Sequence, residues 1–133
     1  MKTHVIVDSS VWIDFFKGVS TPSVGLLMEI MDSNAVILPP IVIQEVLQGV
    51  SERKMANTIE HLFFGFQFIN YDNYEAALGA ADLYKKMRTK GVTVRSSNDA
   101  LIAWLCIKFN FPVLHRDRDF ENIAKFTSLK IYK

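Results

Sequence analysis

The chain has 133 residues, a formal net charge of +1 and one cysteine. That length suits one compact domain with its own core, and residues 1–133 are read as such. A lone cysteine excludes an internal disulfide and any multi-cysteine zinc site, and the near-neutral charge excludes a chain-wide basic footprint for nucleic acid, so any such footprint must be local.

HVIVD (4–8) is a short run rich in β-branched residues and predicts a buried strand. The apolar stretch around it is too short for a signal peptide, and no run approaches the roughly 20 apolar residues of a membrane span, so a cytoplasmic protein with no membrane partner is expected. SSVWIDFF continues as a helical turn or two. Its Trp12, Phe15 and Phe16 are more aromatic bulk than one narrow helix face buries, which predicts leftover aromatic surface and a homodimer. Thr21 and Pro22 cap and open a helix over PSVGLLMEIMD. AVILP (35–39) is the next strand, stopped by Pro39 and Pro40. A helix holding Glu45 follows, with Gly49 as its C-cap, and another runs around Glu52 to Leu62.

FQFINY (66–71) predicts a third strand, and NYEAALGAADLYKKMR (73–88) a helix. Ser96, Ser97 and Asn98 cap a helix over about 99–109, in which Cys106 falls on the apolar spacing and reads as a buried structural thiol. PVLHR (112–116) is a strand that includes His115, DRDFENIAKF a short helix, and LKIYK a last strand. Strands separated by helices imply parallel pairing through right-handed crossovers. The expected fold is α/β, three layers, with four or five parallel strands.

Ligands of an open parallel sheet gather beyond the carboxyl ends of its strands, and that rule selects four acids. Asp8 ends the first strand, Asp117 follows PVLHR, Asp99 opens the helix leading into that strand, and Glu45 lies about one turn into the helix after the second strand. Three of them have a plain local role: Asp8 can start a turn, Asp99 can complete a capping box with Ser96, and Asp117 can cap its helix. Glu45 has none, because Val42, Glu45, Val46 and Gly49 share one apolar helix face that should be buried. Clustered carboxylates repel one another unless a hard cation neutralises them, and Mg²⁺ or Mn²⁺ on oxygen ligands suits phosphoryl chemistry.

VIVDSSVWIDFF, IVIQEVLQG, SSNDALIAWLC and VLHRDRDFE resemble, in order and spacing, the four acidic motifs of PIN-domain ribonucleases, and HRDRDFE resembles the ending of VapC-type toxins of toxin–antitoxin pairs. The resemblance spans essentially the whole chain. It implies a metal-dependent endoribonuclease that inhibits translation, an RNA substrate, a cognate antitoxin, and Asp8, Glu45, Asp99 and Asp117 as the catalytic, Mg²⁺- or Mn²⁺-binding acids. Ser10 matches the family's supporting hydroxyl, and Asp119 the second acid of the Asp-x-Asp-Phe ending, as a helper or a helix cap.

Six cations stand as substrate-binding candidates. Arg116 and Arg118 flank Asp117 and either meet phosphate or balance the acids. Lys85, Lys86, Arg88 and Lys90, in the basic run that ends at Arg95, either contact RNA or form a solvated helix end. Asp14, Asp32, Asp72 and Asp82 read as solvated surface or turn acids, and His4, His61 and His115 share no metal-ligand spacing. A phosphoacceptor receiver domain needs an adjacent acidic pair after the first strand, where Asp8 is followed by two serines. The alternative is a non-catalytic PIN-like module that binds RNA or protein.

Overall fold

The structure, a computed structural model, describes residues 3–133. Its elements in chain order are β1 (Val5–Val7), α1 (Ser9–Phe16), α2 (Pro22–Asp32), β2 (Val36–Leu38), α3 (Pro40–Gln48), α4 (Arg53–Phe64), β3 (Gln67–Phe68), α5 (Asn73–Thr89), α6 (Ser97–Phe109), β4 (Val113–Leu114) and α7 (Arg118–Phe126). The four strands form one parallel sheet in the order β3-β2-β1-β4, as an α/β, three-layer reading requires. Val5 faces Val36 and Ile6 faces Ile37 on one side of β1, while Ile6 faces Val113 and Val7 faces Leu114 on the other. β2 in turn sets Ile37 against Gln67 and Leu38 against Phe68.

Every residue of β1, β2 and β4 is buried. Strands covered on both faces read as continuous apolar runs rather than alternating ones, which is why these were legible. From β1 to β2 to β3 the chain steps one way across the sheet, and from β3 to β4 it returns to the far edge. Right-handed crossovers therefore place α1 to α4 on one face and α5 and α6 on the other. The helix contacts agree, joining α1 with α2 and α3, α3 with α4, and α5 with α6.

Of the five strands expected, four form the sheet: the last shrinks to an isolated bridge, and the third survives only in part. Of residues 66–71 only Gln67 and Phe68 pair, both exposed at the sheet edge. Of LKIYK only Ile131 bridges Val113, since Leu129 turns into the core and Lys130 reaches out to Asn110. The strand read over 112–116 is also short: His115 lies beyond β4, in a turn that ends at Asp117. Gly49 is the C-cap of α3, but with a right-handed φ of −88° and an exposed position, so the apolar face shared with Glu45 is buried only at Val42 and Val46.

The aromatic surface expected on α1 is folded inward. Trp12 is fully buried, stacked on Phe16 at 5.9 Å and edge-on to Phe63 at 5.0 Å, with Phe66 at 5.6 Å. α1 alone could not cover three aromatics; α4 and the residue after its cap supply the missing cover. Among the described residues the large exposed aromatics are Phe64, Phe68, Tyr74 and Phe126 instead. On the other face, Gly79 of α5 lies directly against the Trp104 indole of α6, where a Cβ would overlap the ring, so the close approach of these helices requires glycine there. Cys106 is buried in α6, and burial pushes its thiol well above the ordinary range, as expected of a structural rather than a nucleophilic cysteine.

Candidate metal centre

The chain leaves β1 toward β2 on one side, while β4 lies on the other, so the carboxyl ends of β1 and β4 form the crevice where an open parallel sheet takes its ligands. The two ends are tied together by the Asp8 N–H, which donates to the Leu114 carbonyl at 2.9 Å. Asp8 follows β1 and caps α1; Asp117 lies three residues beyond the end of β4 and caps α7. Asp99 sits in the first turn of α6, and Asp119 in the first turn of α7. Three helix N-termini thus meet at the acids and partly offset their mutual repulsion.

The local capping roles and a shared site coexist. Asp8 Oδ2 accepts from the Ser10 N–H at 3.2 Å and the Ser10 hydroxyl at 2.6 Å, while its Oδ1 is buried with no hydrogen-bond partner. Glu45 repeats this division: Oε2 accepts from Asn98 Nδ2 at 3.1 Å, and Oε1 is buried without a partner. Oxygens of Asp99, Asp117 and Asp119 lie within 4.8 Å of one another. Asp119, expected as helper or cap, is buried inside this group, and the cap of α7 is Asp117, whose Oδ1 accepts from the Asp119 N–H at 3.1 Å.

The electrostatics record the crowding. Asp99, 8 % exposed, is pushed up to about 7, first by burial and then by the charges of Asp8, Asp117, Glu45 and Asp119. Asp8 is raised as well, chiefly by burial and also by Glu45, against the lowering effect of its bonds from Ser10. Four other acids therefore lie within electrostatic reach of Asp99. Acids held this close, with buried oxygens aimed at no donor, fit a hard divalent cation that prefers oxygen ligands.

Several supports were not legible. Asn98 read only as part of a helix cap, yet its side chain holds Glu45. Arg95 donates from Nη2 to Asp117 and from Nε to Asp119, and these acids raise its own pKa, Asp119 foremost. His115 Nδ1 accepts from the Asp117 N–H at 3.0 Å, so the neutral ring carries its proton on Nε2, which lies 3.2 Å from Glu121 Oε1. It positions Asp117 rather than offering a base. Asp14, read as a solvated surface acid, is buried and paired with Arg116 at 2.6 Å, because that cation arrives from beyond β4.

Among the six candidate cations, Arg116 thus balances Asp14, and with Arg118, Arg95, Ser10 and Asp117 it lines an open cleft of about 400 Å³ beside the acids. Lys85 pairs loosely with Asp82 at 3.9 Å and lines a groove that reaches Ser97 and Ala100 of α6. Arg88 lies over the Tyr84 ring, while Lys86 and Lys90 are exposed. These four stand on α5 and its C-cap, and no described contact joins them to the acids.

A parallel sheet of this order with acids at its switch point defines the class, and the family model of the PIN domain matches residues 5–126: the chain belongs to the PIN-domain family. It is similar to VapC ribonuclease Mb1587 of Mycobacterium bovis, with 30 % identity over 95 % of this chain and 96 % of that one. It is also similar to ribonuclease VapC1 of Methanocaldococcus jannaschii, with 26 % identity over 98 % and 88 %. In fold it matches VapBC2 from Rickettsia felis, solved bound to a promoter DNA fragment, with a TM-score of 0.77, 16 % identity and 98 % coverage of both chains. The DNA-bound VapBC of Salmonella typhimurium gives a TM-score of 0.76 at 14 % identity, again covering 98 % of each chain. Among the described residues no helix is long and apolar enough to cross a membrane.

Proposed function

We propose that this chain is a single-domain, Mg²⁺- or Mn²⁺-dependent endoribonuclease, the cytoplasmic toxin of a VapBC-type pair, which cleaves RNA phosphodiester bonds, inhibits translation and is held in check by a cognate antitoxin. One observation carries the reading: Asp99, Asp117 and Asp119 bring oxygens within 4.8 Å of one another at the switch point, Asp8 and Glu45 lie within electrostatic reach of Asp99, and each of these two has a buried oxygen without a hydrogen-bond partner. The VapC names of its relatives and the VapBC complexes among its structural neighbours support the substrate and the partner.

Asp8, Glu45, Asp99, Asp117 and Asp119 would hold the metal. When bound, it supplies an oriented, more acidic water and stabilises charge developing on the phosphate and the leaving oxygen. Ser10 fixes Asp8, Asn98 fixes Glu45 and His115 fixes the backbone of Asp117, so the carboxylates are held before any cation arrives. Arg116 and Arg118 give the cleft a positive rim for the RNA backbone. The exposed Phe64, Phe68 and Tyr74 support a homodimer surface in place of α1.

The test is RNA cleavage by the purified protein in millimolar Mg²⁺ or Mn²⁺ and in chelator. Cleavage in metal, lost in chelator and in Asp99→Asn, is the expected result. RNA binding without cleavage under every metal condition would favour the non-catalytic module.

A further inference from the structure

Arg95 makes three contacts with the acids. Its backbone N–H donates to Asp119 Oδ2 at 3.1 Å, its Nε donates to the same oxygen at 3.3 Å, and its Nη2 donates to Asp117 Oδ1 at 2.5 Å. Asp117 and Asp119 are two of the three acids whose oxygens group within 4.8 Å. The guanidinium therefore sits on carboxylates that a metal in this site would use. A cation entering among them meets the Arg95 charge at close range, and the two cannot both be fully neutralised by the same oxygens.

Burial decides which partner yields. The Arg95 side chain is 60 % exposed, whereas that of Asp119 is 5 % exposed, so the arginine can swing into solvent while the aspartate cannot follow. The backbone N–H bond to Asp119 does not depend on the guanidinium and keeps Arg95 at the rim of the site. Arg95 lines the cleft with Ser10, Arg116 and Arg118, so a released guanidinium stays where an RNA phosphate would pass.

We infer that Arg95 is an internal stand-in for the metal: it holds Asp117 and Asp119 in the metal-free protein, is displaced when the divalent ion binds, and then engages a phosphate of the RNA strand. Metal occupancy and substrate binding are thereby coupled through one side chain. This rests on the metal-dependent reading above.

The first measurement is calorimetric Mn²⁺ affinity without RNA, for wild type, Arg95→Gln, Arg95→Lys and Arg116→Gln. Loss of the competing cation should tighten Mn²⁺ binding about fivefold in Arg95→Gln, the scale of a screened ion pair. Arg95→Lys should fall between it and wild type, and Arg116→Gln, which frees Asp14 rather than the cluster, should match wild type. The second measurement is the salt dependence of binding a 2′-O-methyl RNA oligonucleotide. In Mn²⁺ the wild-type slope should exceed that of Arg95→Gln by about one phosphate contact, and in chelator the two slopes should agree. Equal or weaker Mn²⁺ binding by folded Arg95→Gln, or equal tightening in Arg116→Gln, would overturn the displacement. Wild type that takes up no Mn²⁺ would instead overturn the metal reading, and the displacement with it.

Discussion

Helix α1 touches two regions that are built on opposite terms. Its buried side feeds an aromatic cluster in which Trp12, Phe15, Phe16, Phe63 and Phe66 meet at centroid distances of 5.0 to 6.3 Å. Its N-terminus feeds an acid cluster in which Asp8 and Asp99 are buried and raised in pKa by burial and by each other's neighbours. The first region stabilises the fold through apolar area removed from water. The second costs stability through the burial and mutual repulsion of its carboxylates. Substitutions should therefore separate the two: the aromatic cluster answers to truncation, and the acid cluster to charge, pH and metal.

The largest effect is expected in the aromatic cluster. Trp12→Ala removes a fully buried side chain from contact with four rings and should destabilise the protein by about 3–5 kcal/mol in chemical denaturation, with or without metal. A loss that depended on metal would mean that the two regions are one unit.

The acid cluster should show its cost as a pH dependence. Asp99 titrates near 3.8 when unfolded and near 7 when folded. Between those values the native state holds a proton that the unfolded chain has released, so metal-free stability falls as pH rises, by at most about 1.4 kcal/mol per unit, and levels off above the folded value. Asp99→Asn should lack this slope. Metal-free melts of both proteins from about pH 4.5 to 8.5 check it, and parallel curves would show that Asp99 is not repelled. The mildest change is Asn98→Ala, which frees Glu45: apo stability should shift by about 1 kcal/mol or less, while Mn²⁺ affinity should fall about tenfold or more as a carboxylate loses its orienting bond.

Reading the sequence located the site better than it described it. Asp8 and Asp117 could be picked out because each follows an apolar strand, and Asp99 because a Ser-rich cap precedes it. Asp119 was undervalued because a first-turn acid two residues after Asp117 looks like capping, whereas the cap is Asp117 and Asp119 is turned inward. Arg95 could not be assigned because its partners lie 22 and 24 residues away and periodicity carries no information about such pairs. The same is true of Asp14, which is buried only because Arg116 comes from another element. The error over Trp12, Phe15 and Phe16 came from judging a helix face without its cover from α4. Residues 66–71 and LKIYK were overextended because an apolar run specifies burial, not the number of ladder partners.

The central claim is that the acids form a metal site whose repulsion the cation relieves. It is tested most directly by thermal melting of wild type, Asp8→Asn and Glu45→Gln in chelator and in millimolar Mn²⁺. In chelator Asp8→Asn should be as stable as wild type or more so, because asparagine can keep the bonds from Ser10 and still cap α1 while the charge facing Glu45 is gone. In Mn²⁺ wild type should gain stability as RT ln(1 + [L]/Kd), about 2.7 kcal/mol at one hundred times Kd, and both variants should gain much less. Equal metal-induced shifts in all three proteins would contradict the account.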